Sequence, residues 1–139
     1  PAGENDNFIV QRLERNRTAF GVFGYSFLAE NQNKVQGATI EGVEPTPEKI
    51  SSGAYPISRS LFFYVKNDHV GEVAGLKDFL KLFMSEKMIG PYGFLKDVGL
   101  VPLPKQMRRA SRQRVMNLTP LKLKDGRLTT LHDYMKDND

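Results

Sequence analysis

With 139 residues, 40% of them hydrophobic and 26% charged, the chain has the composition of a globular domain large enough to bury a core without staples. The absence of cysteine excludes a disulfide framework, thiolate metal ligands and thiol chemistry. A formal charge of +4 permits an anionic partner without selecting one, and the longest apolar run, the five residues 61–65, falls far short of the roughly 20 that a membrane-spanning helix needs.

The chain opens at Pro1 with no initiator Met, basic leader or apolar leader, so an upstream segment is expected to have been cleaved or left out. Asn5-Asp6-Asn7 reads as a helix N-cap, because short polar side chains accept from the free amides of a first turn. Phe8, Ile9, Val10 and Leu13 follow at helical spacing, with Arg12, Glu14 and Arg15 on the other side. "AFGVFGY" at 19–25 predicts a buried strand, a helical turn over 26–31 follows, and "VQGATIE" at 35–41 predicts a second strand. In "PTPEKISSG", Thr46 can cap, Pro47 fits the first helical position, Glu48 suits the positive end and Gly53 can stop the helix.

"YPISRSLFFYVKND" at 55–68 is the most strand-like stretch, and its unbroken apolar core predicts a strand covered on both faces. Between Glu72 and Glu86 the apolar residues Val73, Leu76, Phe79, Leu80, Phe83 and Met84 form a helical stripe. A short helix is predicted around Tyr92 to Val98, closed by Gly99, and a last helix from Pro104 to about Leu118. The tail beyond Pro120 is polar, with an Asp125-Gly126 turn, and is expected to fray or dock as an extended arm.

Chemistry-bearing patterns are few. His69 and His132 stand apart and outside any HExxH arrangement, no carboxylate pair sits on an apolar background, and neither a G-x-S-x-G elbow nor a phosphate-binding glycine loop occurs. The expectation is therefore a protein that is not an enzyme, with no catalytic residue, metal or cofactor. Asn16-Arg17-Thr18 and "RRAS" at 108–111 match short modification patterns of high chance frequency and are discounted. Lys105, Arg108, Arg109 and Arg112 fall at i, i+3, i+4 and i+7 on one helix face, opposite Met107, Ser111, Val115 and Leu118. Two readings stay open: a solvated face, or a basic interaction module that tracks the phosphates of a nucleic acid or an anionic surface. No aromatic residue is interleaved with the arginines, so nucleic acid is the less expected partner.

Taken in order, "AFGVFGYSFL", "PTPEKISSGAYPISRSLFFYVK", "FLKLFMSE" and "GPYGFLKDVGLVPLP" resemble the C-terminal half of a bacterial phosphate-binding protein of the ABC-transporter type. The likeness spans nearly the whole chain and is most specific in "GAYPISRSLFFYV" and "YGFLKDVGLVPLP". It implies an α/β fold: part of a two-lobed periplasmic-binding-protein architecture, a mixed sheet flanked by helices, with the N-terminal part of the receptor missing. Residues 1–54 would then finish the second lobe, and residues 55–139 would cross back and complete the first. It further implies inorganic phosphate as ligand, hinge closure as mechanism, permease subunits of an ABC transporter as partners and the periplasm as location. The turns that supply that family's main phosphate ligands have no counterpart here. Residues left as candidates to line the cleft are Asn5, Asp6, Asn7, Tyr25, Ser58 and Arg59, with Tyr55, Pro56, Ser58 and Arg59 at the hinge. A sheet lacking its partner strands leaves edges uncovered, so self-association of the isolated chain is an additional expectation.

Overall fold

The computed structural model describes residues 5–121, and among them the regular structure is helical. Helix α1 spans Asp6–Arg15, and Asn5 caps it by accepting from the Asn7 amide at 3.0 Å. Helix α2, Tyr25–Glu30, packs against α1. Helix α3, Pro47–Ser51, starts as its sequence dictates: Thr46 accepts from the Lys49 amide at 3.3 Å, Pro47 holds the first position, and Gly53 leaves the helix at φ 73°.

Four helices then follow in quick succession: α4 (His69–Glu72), α5 (Leu76–Phe83), α6 (Glu86–Ile89) and α7 (Phe94–Asp97). Of the single helix expected between Glu72 and Glu86 only α5 forms within the span, with α4 ending at Glu72 and α6 starting at Glu86. Gly75 sits at φ 79°, a left-handed conformation that no continuous helix passes through, and it resets the chain direction before α5. Val73 consequently drops out of the apolar stripe and is half exposed, while Leu80 and Met84 become the core, at 2% and 8% exposure. Helix α8, Lys105–Met116, begins after Pro104 and packs on α5.

The predicted mixed sheet is not there. Among the described residues the only β pairing is an isolated antiparallel bridge, Ile40 with Val43, around a tight turn. Residues 19–24, 35–39 and 57–66 do not coil into helices, but they run singly, and no backbone amide of residues 59–65 donates to another described backbone carbonyl. The reason is physical: a helix closes its hydrogen bonds within its own segment, whereas a strand exists only where a second strand lies beside it. Strand-like composition therefore marked segments that do not coil into helices, and the pairing expected of them is absent among the described residues.

Nor is the aromatic segment covered on both faces. Phe63 turns toward α5, its ring centroid 4.7 Å from that of Phe83 and 6.1 Å from that of Phe79. Phe62 and Tyr64 stack on each other at 6.2 Å on the opposite side, where both are exposed. The tail beyond Leu121, with the predicted Asp125-Gly126 turn and His132, lies outside the described residues.

Candidate functional site

Four of the six candidate residues meet where α1 and α2 begin. Asn5, Asp6 and Asn7 form the cap and first positions of α1, and Tyr25 opens α2. Asp6 links the two helices: its Oδ2 accepts from the amide of Gly24, the N-cap of α2, at 3.3 Å. Gly99, which ends α7 at φ 93°, packs so tightly on Ser26 that any side chain there would run into it, so α7 closes the same junction. A carboxylate at the amide-rich end of two helices complements their dipoles, and an incoming oxyanion would have to displace it. In this arrangement the residues act as mutual caps.

Ser58 and Arg59 belong to a second place, the turn that connects α3 to the aromatic segment. Tyr55 anchors it. Its ring is buried at 8% exposure, its hydroxyl donates to the Ala38 carbonyl at 3.0 Å, and its amide donates to the Lys49 carbonyl at 3.0 Å. The Ser58 amide returns to the Tyr55 carbonyl at 2.9 Å, closing the turn, while Pro56 is exposed. The Ser58 hydroxyl is buried and has no hydrogen-bond partner among the described residues, so it keeps both its donor and its acceptor capacity. Arg59 is exposed and forms no ion pair among the described residues. No hydrogen bond joins this turn to the α1/α2 junction, so the structure resolves the candidates into two groups.

The strongest polar cluster lies elsewhere and was not read from the sequence as one. Arg108 of α8 is 9% exposed, the one charged side chain buried in the core among the described residues. Its Nε donates to both Glu86 oxygens at 3.1 Å, its Nη2 donates to Glu86 Oε2 at 2.9 Å, and its Nη1 donates to the Leu103 carbonyl at 2.6 Å. This bidentate fork fixes α8 against the start of α6 and against its own approach segment. The hydrogen bonds from Arg108 hold the Glu86 carboxyl below its ordinary value of 4.5, with the charges of Arg108, Arg112 and Lys105 acting in the same direction against partial desolvation. Arg108 thus leaves the expected basic stripe to become a structural anchor. Helical spacing alone could not distinguish it from its neighbours, because its acidic partner is 22 positions away in sequence.

Ser51 makes a comparable long-range tie, donating to the Pro102 carbonyl at 2.6 Å. Asn16, in the discounted modification pattern, accepts from both the amide and the hydroxyl of Thr18, at 3.1 and 2.9 Å, while its own amide caps the end of α1 by donating to the Leu13 carbonyl at 3.2 Å. Among the described residues no group of three or more His, Cys, Asp or Glu side chains converges as a metal site, and no helix is long and apolar enough to cross a membrane.

Comparison with known proteins places these features in a family. The chain is 31% identical over 105 residues to the phosphate-binding protein PstS of Staphylococcus saprophyticus, a match covering 72% of this chain and 32% of that protein. It is 35% identical over 86 residues to the phosphate-binding protein PstS of Staphylococcus haemolyticus, covering 58% and 27%, and 31% identical over 120 residues to protein SphX of Synechococcus elongatus, covering 81% and 34%. The chain therefore spans about a third of the length of the curated relatives it matches. No solved structure gives a significant match. Since residues 7–87, more than half of the chain, match the profile described as a PBP superfamily domain, the protein belongs to that family.

Proposed function

We propose that the chain serves in a solute receptor that captures inorganic phosphate outside the cytoplasmic membrane and delivers it to the membrane subunits of an ABC importer. The observation that carries this reading is the identity of 31% over 72% of the chain to a protein named for phosphate binding. In this role the protein binds and releases its ligand without altering it, and is not an enzyme.

The residues present contribute scaffold and hinge more than ligand contacts. Tyr55 ties the turn to Ala38 and Lys49 through its hydroxyl and its amide, an anchorage that supports reading residues 55–59 as the hinge. The buried, unpaired Ser58 hydroxyl is the candidate best suited to touch an oxyanion, whereas Asp6 and Asn5 are already engaged as caps. The principal phosphate ligands lie outside these residues.

Isothermal titration of the full-length gene product that carries this sequence, with inorganic phosphate and then with sulfate, tests the reading. Saturable heat with phosphate is expected, and its absence would overturn the family-level function. The 139-residue chain alone should bind phosphate weakly or not at all; tight binding there would show that its own residues suffice.

A further inference from the structure

The net charge of this protein traces to one helix. Of its 20 Lys and Arg residues five lie on α8 (Lys105, Arg108, Arg109, Arg112 and Arg114), and of its 16 Asp and Glu residues none does. The rest of the chain thus carries 15 cations against 16 carboxylates. One of those carboxylates, Glu86, is committed to Arg108. Setting that pair aside, the remaining charges outside α8 cancel, and one helix accounts for the whole net charge of the protein.

The anchor determines which way that charge points. Arg108 is drawn inward by Glu86 and the Leu103 carbonyl, and Met107, Ser111 and Val115 are half-buried on the same side. Lys105, Arg109, Arg112 and Met116 are exposed. They stand at i, i+4, i+7 and i+11, within roughly 60° of arc and over roughly 16 Å of helix axis. Beyond Met116, which is 39% exposed, the chain shows two more apolar side chains, Leu118 at 37% and Leu121 at 60%. No aromatic residue lies in the helix.

We infer that this face of α8 is a docking surface for an anionic phospholipid bilayer. A straight row of cations that ends on the exposed Met116 matches a flat surface with negative headgroups outside and acyl chains beneath. The cations meet the headgroups while Met116 reaches the acyl boundary. A nucleic acid would use the cations but give no role to the apolar end, and the aromatic platforms that stack bases are missing.

Each Lys or Arg close to such a membrane strengthens binding about fivefold. The experiment is co-sedimentation of the 139-residue chain with vesicles of phosphatidylglycerol and phosphatidylcholine, with pure phosphatidylcholine vesicles and with a DNA duplex, at low and moderate salt. The expected result is salt-sensitive binding to the anionic vesicles only. The triple variant Lys105→Gln, Arg109→Gln, Arg112→Gln should bind roughly 100-fold more weakly. A control triple, Lys66→Gln, Lys77→Gln, Lys96→Gln, removes the same charge from exposed positions off the helix and should bind like the wild type. Met116→Ser keeps every cation, serves if the α8 triple fails to fold, and should lose at least about fourfold, the contribution of one methylene. Failure to bind anionic vesicles, equal binding to neutral ones, tighter binding to DNA, equal losses in both triples, or an unchanged Met116→Ser variant would each overturn the inference.

Discussion

Residues 61–65, Leu-Phe-Phe-Tyr-Val, and residues 79–83, Phe-Leu-Lys-Leu-Phe, carry nearly the same apolar content, yet the protein treats them oppositely. The second is helical, satisfies its backbone within the segment and contributes Leu80, the most buried side chain described. The first forms no helix, leaves its amides without backbone partners among the described residues and keeps four of its five side chains exposed. The difference does not come from hydrophobicity. It comes from who must supply the hydrogen bonds: a helix needs only its own residues, while an extended segment needs a neighbour. Regions that are self-sufficient in this sense carry the stability, and the others carry unspent binding capacity.

The largest expected effect lies on the self-sufficient side. Leu80→Ala should cost about 2–5 kcal/mol, because it opens a cavity between α5 and its packing partners, and it should appear as a lower urea midpoint. Arg108→Ala comes next, at about 1–3 kcal/mol, since it strips the Leu103 carbonyl of a charged donor and unties α8 from α6. Acid should act through the same contact. Because the folded-state value of Glu86 is depressed, its contribution is present above the ordinary value of 4.5 and is lost as pH falls below it. The urea midpoint should therefore decline on acidification below about that pH, and the part due to Glu86 should be absent in Arg108→Ala; an identical acid slope in both proteins counts against the anchor. Smallest of all is Tyr64→Lys on the other side, which should change stability by no more than about 0.5 kcal/mol. Light scattering should show reduced concentration-dependent association in that variant, and unchanged association would remove the aromatic face as its cause.

How much of this could be read from the residues follows the same division. The caps were legible: Asn5, Thr46, Gly53 and Gly99 act where local chemistry places them, since a cap is decided within a few residues. The inward face of α8 at Met107, Ser111 and Val115 was legible from period alone, whereas Leu118, expected on that face, lies past the helix end and is exposed. The sheet was not, because propensity names segments fit to pair and says nothing of whether a partner lies beside them. The division of one expected helix at Gly75 was overridden by the apolar stripe, although the glycine was in plain view. Of the candidate site, grouping Asn5, Asp6 and Asn7 was a local inference, but their meeting with Tyr25 depends on the Asp6 contact 18 positions away. Arg108 was read as one cation among four for the same reason, its partner being distant in sequence.

Amide hydrogen exchange on the dilute 139-residue chain tests most directly the claim that its aromatic segment is unpaired and its helices are self-partnered. The amides of Leu61, Phe62, Phe63, Tyr64 and Val65 should exchange at nearly unprotected rates, while those of Leu80, Phe83 and Met84 should be the slowest to exchange. Protection of residues 61–65 equal to that of α5 would contradict the account, because it would mean that a neighbouring strand is already in place.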